Sequence, residues 1–323
     1  MHYRFLRYSI ITIVFILSYG FIIHKIIHFE EIKSFNLRVF FTNTIAFLTI
    51  IVVFILMILN WAIEAIKWQK LVYKIQQFSF TDSLKAVVAG VTIGVFTPNR
   101  VGEIGGRIAF LEKGKRTSGT LASSIGSFAQ FIATIILGVA GFITFLFVFP
   151  EKTKINTAFN NLSAILLLLL LAFFMWSFFN VKRIIPVLTR IPFFKKRTDQ
   201  LGLISSESGK SLLIILILST LRYFVFFLQF FLLLRFFDVK LTFIEGFVSI
   251  TLTYLFMTII PTTTLIELGL RGSLAIFFIG IFSQNILGIV LASFFIWIIN
   301  IAIPATLGSF FLLKHNSRKP FLV

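Results

Sequence analysis

The chain has 323 residues, 30 Lys and Arg against 12 Asp and Glu, a formal net charge of +18, 58% hydrophobic residues and 13% charged ones. Soluble domains average roughly 45–50% apolar and about 25% charged residues, so this composition excludes a soluble globular enzyme, and its hydrophobicity excludes disorder. A polytopic membrane protein remains, without a cysteine for disulfides, thiolate metal sites or thiol nucleophiles.

A membrane-spanning helix needs about 20 mostly apolar residues, because the hydrocarbon core is about 30 Å thick and each residue rises 1.5 Å. The first apolar stretch follows Arg4 and Arg7 and continues to Ile23. It reads as a retained span at about 6–24, not as a signal peptide. Five more full spans are expected at about 39–63, 118–149, 160–181, 211–234 and 285–312. Glu64 follows the second of these, between Trp61 and Trp68. Tryptophans favour the headgroup region, so Glu64 is placed at that level.

Two further apolar runs do not read as simple spans. The run 86–99 is short and reaches Pro98, and the run 246–266 is broken by Pro261. Proline removes a backbone donor and restrains the residue before it. Irregular backbone at membrane depth survives only where protein or a watery cavity satisfies it. Each run is therefore expected to be a re-entrant half-helix hairpin, the first at about 80–112 and the second at about 241–283. With six full spans and two hairpins, 19 basic residues fall on the cytoplasmic side and 7 on the other. That bias predicts both termini in the cytoplasm, and reading the two hairpins as full crossings is the main rival layout. The stretch at about 181–210 carries Lys182, Arg183, Arg190, Lys195, Lys196 and Arg197. It reads as a basic loop on the cytoplasmic leaflet, each charge contributing roughly 1 kcal/mol. The basic residues lie between apolar runs and form no single stripe, which argues against nucleic acid.

The two hairpins match each other. Segments 78–98 and 241–261 both run to a proline, with Phe80 opposite Phe243 and Asp82 opposite Glu245. Past the proline both carry Glu-x-x-x-Arg beside glycine, as Glu103 with Arg107 and Glu267 with Arg271. Three crossings separate them, so the second enters from the opposite face. The expected fold is all-α, one transmembrane domain over 1–323, with the hairpins forming an inverted repeat and a site near the bilayer midplane.

Charges at membrane depth cost at least about 2.5 kcal/mol each and mark function by default. Arg100, Glu103, Arg107, Glu267 and Arg271 in the hairpins, with Arg222 midway along its span, are therefore the candidate substrate-binding residues. The i,i+4 spacing lets each Glu–Arg pair partly neutralise itself, and a purely structural role in pinning the hairpins is the competing explanation. Arg suits phosphate because its planar fork donates two parallel hydrogen bonds. Gly90-x-x-x-Gly94 and Gly102-x-x-x-Gly106 read as close helix packing, with Gly105-Gly106 leaving room for a ligand. The stretch from Gly202 to Ser211 has the wrong glycine spacing for a phosphate loop. His24 and His28, one turn apart near Glu31, are too few for a convincing metal site. No cofactor is expected.

At Pro98-x-Arg100-x-Gly102-Glu103 through Arg107, the chain resembles the lysylphosphatidylglycerol synthase transmembrane region, also called the flippase-like family. The likeness extends to the basic loops, the Arg of the fifth span, and the later proline turn with its Glu. It implies a lipid translocase, with Arg100, Glu103, Arg107 and Glu267 as family-type site residues. The best-known members carry a synthase domain that attaches lysine to phosphatidylglycerol, and their membrane part moves that lipid outward. This chain departs in two places. The Arg after Gly-Glu often lies one residue closer than Arg107, and Pro261 is followed by Thr262, Thr263 and Thr264 where a Gly-Gly-like turn is usual. No synthase domain follows within the 323 residues, so aminoacyl transfer is not expected. The expected function is transport of an anionic phospholipid across the cytoplasmic membrane, without enzymatic activity. The alternatives are a membrane enzyme acting on a lipid-linked substrate through Glu103 or Glu267, and a non-transporting partner of a soluble protein bound through the basic loop. The oligomeric state has no signature in the sequence.

Overall fold

A computed structural model describes residues 44–153, 157–181, 183, 208–262 and 264–316. The span at about 6–24, the His24–His28 pair and most of the basic loop at about 181–210 lie outside these residues. Among the described residues the fold is helical without strands. Five helical segments are long and apolar enough to cross a membrane: Thr44–Val72, Lys113–Val148, Asn160–Phe179, Gly209–Phe236 and Ile286–Lys314. Each falls on an expected span.

The elements are α1 (Thr44–Val72), α2 (Phe80–Val95), α3 (Gly102–Ile108), α4 (Arg116–Val148), α5 (Thr157–Phe179), α6 (Gly209–Phe236), α7 (Phe243–Ile259), α8 (Thr264–Ile279), α9 (Ile286–Trp297) and α10 (Ile303–Asn316). Helices α2 and α7 begin alike. Ser79 caps α2 by accepting from the Asp82 amide, and Thr242 with Glu245 forms a full capping box on α7. Both helices are short: at 16 and 17 residues they span about 24 and 26 Å, against a hydrocarbon core of about 30 Å.

Lipid tails are as apolar as leucine, so helices in a bilayer associate through close packing and interhelical hydrogen bonds. Glycine supplies the packing. A Cβ on Gly106 would overlap the backbone of Ala89 and Gly90, and one on Gly90 would meet the Glu103 carbonyl. The two arms of the first hairpin therefore touch backbone to backbone. Gly105 has open space around it. Polar side chains supply the bonds: Trp68 Nε1 donates to Ser123 Oγ at 3.2 Å, and Gln229 Nε2 to the Val53 carbonyl at 3.0 Å. Many apolar residues of α5 face outward, with Leu166, Leu169 and Phe173 more than half exposed, as lipid-facing filler requires, while Phe178 is buried in the core.

Helices α1 and α6 pack side by side at the centre, each immediately preceding a hairpin. The first arm of each hairpin leans on the span that follows the other. Thus α2 packs on α10, where Thr92 Oγ1 donates to the Ala305 carbonyl at 2.6 Å, and α7 packs on α4, where a Cβ on Gly141 would collide with Thr251.

The last span has a π-helical turn at Ile298–Ala302. Pro304 removes the amide that would bond the Asn300 carbonyl, and its ring crowds that carbonyl. The backbone widens instead, with the Ile303 amide bonding to the Ile298 carbonyl.

Candidate functional site

The first hairpin turns at Pro98–Arg100. Pro98 opens a one-turn 3-10 helix, and the next two residues take positive φ, 49° at Asn99 and 56° at Arg100. Asparagine tolerates this region, whereas an ordinary residue such as Arg loses roughly 1–2 kcal/mol there. The turn is held from the other hairpin. The Asn99 amide donates to the Thr262 carbonyl at 2.7 Å, and the Thr262 amide donates to Asn99 Oδ1 at 2.8 Å. The two proline-bearing tips thus meet each other.

Behind this junction lies a cavity of about 510 Å³. All six candidate residues, Arg100, Glu103, Arg107, Arg222, Glu267 and Arg271, line it. Glu64 and Lys67 line it as well. Glu64, expected at headgroup level, is enclosed by protein together with Lys67: they are 2% and 1% exposed. Trp61 and Trp68, taken as an interface belt, are buried too. The reason is that α1 continues as an unbroken helix to Val72, which carries residues 60–68 past the other elements.

Glu64 is the hub. Its Oε1 accepts from Arg107 Nη1 at 2.7 Å, and its Oε2 pairs with Lys67 Nζ at 2.7 Å and Arg222 Nη1 at 3.2 Å. Arg107 bridges onward through Nη2 to Glu103 Oε2 at 3.0 Å, and Glu103 Oε1 pairs with Arg100 Nη2 at 2.8 Å. Asn60 Oδ1 orients Arg222 by accepting from its Nε at 2.8 Å, while Asn60 Nδ2 donates to Asn300 Oδ1 at 3.1 Å in the π turn. The Arg222 guanidinium also lies over the Trp61 ring, 5.2 Å from its centroid.

The second hairpin contributes Glu267 and Arg271, paired at 2.6 Å. The Arg271 guanidinium lies 5.8 Å from the ring centroids of both Phe226 and Tyr254. Its Nε and Nη1 find no hydrogen-bond acceptor among the described residues; the Tyr254 hydroxyl is close by, without the geometry of a bond.

The sequence missed Asn60, Glu64, Lys67, Asn300 and Gln130, which lines the cavity and whose Oε1 accepts from Arg222 Nη1 at 3.4 Å. A signal existed for the first three. Asn60, Glu64 and Lys67 fall on one helical face, and Glu64 with Lys67 is an i,i+3 pair inside a segment that is still apolar around it. Gln130 and Asn300 are single amides in long apolar runs and gave no pattern.

Five cations and three carboxylates line the cavity, a net of +2 among the described residues. They divide by access. Lys67 and Arg107 are enclosed, whereas the side chains of Arg100 and Arg222 keep 26% and 18% of their surface open. No group of three His, Cys, Asp or Glu that could hold a metal occurs among the described residues. The arrangement presents two accessible guanidiniums to the cavity, backed by a buried ion network.

Apolar spans surrounding a charged interior cavity define an integral, polytopic membrane protein. The chain belongs to the lysylphosphatidylglycerol synthase TM region family, whose model matches residues 9–284. No curated protein matches it, and no solved structure does.

Proposed function

We propose that this chain is a lipid carrier of the cytoplasmic membrane, binding the anionic headgroup of a phospholipid in the cavity and passing it between leaflets while the tails stay in the bilayer. The observation that carries this is the cavity's net charge of +2, with Arg100 and Arg222 open to a ligand. Arg forks bind phosphate oxygens in pairs, and a cluster this costly at membrane depth argues for a ligand.

The carrier has two halves in inverted orientation within one domain over 1–323, with both termini cytoplasmic, and its hairpins are re-entrant. Support comes from the matching caps of α2 and α7, their short lengths, the repeated Glu–Arg pairs, the reciprocal packing of each hairpin on the other half, and the tip-to-tip bonds at Asn99 and Thr262. In such a repeat the ligand sits where the broken elements meet. Arg100 and Arg222 contact the phosphate first, Arg271 receives it from the second half, and Glu64, Glu103 and Glu267 hold the cations in place. All three carboxylates are engaged by cations, which favours carriage over acid–base catalysis. The family's name points to lysylphosphatidylglycerol. A lysyl ester adds two ammonium groups, and among the described residues this cavity offers them no free carboxylate.

The test is transfer of a fluorescent phosphatidylglycerol between leaflets of vesicles holding the purified chain. Arg100→Ala should lower the rate at least tenfold at equal incorporation. Equal rates for wild type and variant would remove the mechanism.

A further inference from the structure

We propose that the group this cavity selects is a lipid phosphomonoester carrying two negative charges, in preference to the singly charged phosphodiester of a common phospholipid. This rests on the carrier function proposed above and narrows its substrate class.

Charge balance comes first. Three of the five cations are neutralised by Glu64, Glu103 and Glu267. The remaining described acidic residues, Asp82, Glu112, Glu151, Asp238 and Glu245, do not line the cavity. Lys67 is counted among the cations: its Nζ lies 2.7 Å from Glu64 Oε2 and donates to the Gly126 carbonyl and Ser219 Oγ at 3.4 Å each, contacts that favour the ammonium form. Among the described residues two positive charges therefore wait for a ligand. In a shielded site of low effective dielectric an unmatched charge is costly. A phosphodiester leaves one cation unmatched and a zwitterionic headgroup leaves two, whereas a phosphomonoester dianion matches both.

Geometry agrees. The two accessible cations come from different halves, Arg100 at the first hairpin's tip and Arg222 on α6, and each holds its carboxylate through one nitrogen. A terminal phosphate presents three unesterified oxygens to such forks, and a diester presents two. Spare hydrogen-bond capacity surrounds the same space: Arg271 Nε and Nη1 and the hydroxyls of Tyr223 and Tyr254 make no hydrogen bond among the described residues. A rotamer change would deliver these donors to an oxyanion. The cavity, at about 510 Å³, lies in the range of small-ligand sites.

The experiment is calorimetric titration of the full chain in neutral detergent with dioctanoyl phosphatidic acid, dioctanoyl phosphatidylglycerol and glycerol 3-phosphate, at pH 7.5 and pH 5. Phosphatidic acid should bind at least about tenfold more tightly than phosphatidylglycerol at pH 7.5. The preference should shrink toward parity at pH 5, since a phosphomonoester takes up its second proton near pH 6. Arg100→Gln, which lowers the cavity to +1, should cut the pH 7.5 preference to within about twofold, and Glu103→Gln, which raises it to +3, should widen it. Equal or tighter binding of phosphatidylglycerol at pH 7.5 overturns the dianion while leaving a lipid carrier in place, and so does an undiminished preference in Arg100→Gln. Glycerol 3-phosphate binding as tightly as phosphatidic acid keeps the dianion and overturns the lipid as its bearer. Binding of none of the three overturns both this proposal and the carrier function.

Discussion

Replacing Glu64 by Gln keeps the size of the side chain and removes the negative charge that three cations share. Glu64 is 2% exposed, and its carboxylate lies 2.7 Å from Lys67 and Arg107 and 3.2 Å from Arg222. Breaking a buried ion pair by deleting one partner costs about 3–5 kcal/mol, because the other charge stays behind uncompensated. Here the enclosed Lys67 loses its nearest anion and Arg107 keeps only Glu103, so the upper part of that range applies. At about 2–4 °C per kcal/mol for chains of 150–250 residues, the melting temperature in detergent should fall on the order of 10 °C. The assay is thermal unfolding followed by tryptophan fluorescence, with size-exclusion profiles confirming a folded start. Adding Lys67→Met to Glu64→Gln removes one stranded cation, so the double variant should regain part of the loss. A single variant melting within about 2 °C of wild type, or a double variant whose loss is the sum of the two singles, refutes Glu64 as the centre of a coupled network.

Three more outcomes follow from the packing. Gly106→Ala should destabilise by about 1–3 kcal/mol in the same unfolding assay, because its Cβ meets backbone in the facing arm, while Gly105→Ala, with open space, should be neutral or slightly stabilising. Asn99→Gly keeps the positive φ but loses the side-chain bond to the Thr262 amide, and should cost about 1 kcal/mol, whereas Asn99→Ala adds backbone strain and should cost more, read as the gap between the two melting temperatures. Asn300→Leu strands Asn60 Nδ2 and should cost about 1–3 kcal/mol, yet it leaves Arg222 held by Asn60 Oδ1, so lipid transfer in vesicles should fall less than in Asn60→Leu.

The spans were legible because bilayer thickness imposes a length that uninterrupted apolar runs reveal, and the five described spans fall where charge-free runs placed them. The hairpin residues were legible because charge and proline inside apolar sequence have few innocent explanations, and the cavity gathers Arg100, Glu103, Arg107, Arg222, Glu267 and Arg271 together. What stayed hidden is contact between distant elements. Glu64 sits at the edge of its apolar run, and only the face it shares with Asn60 and Lys67 separates a helix that runs on inside the protein from one that ends at the membrane surface. The pairing of Asn60 with Asn300 joins residues 240 apart, each an unremarked amide in its own helix. The π turn was equally hidden, since Pro304 announces a lost hydrogen bond but not how the backbone recovers it.

The hub at Glu64 also fixes an order of events at the ribosome. Glu64 emerges three residues before Lys67, so α1 can enter the bilayer with its acid already answered by its own ammonium group. Arg222 arrives on α6 without a carboxylate of its own and must find the one delivered 158 residues earlier. Synthesis therefore lays down the anion first and brings the dependent guanidinium of α6 to it.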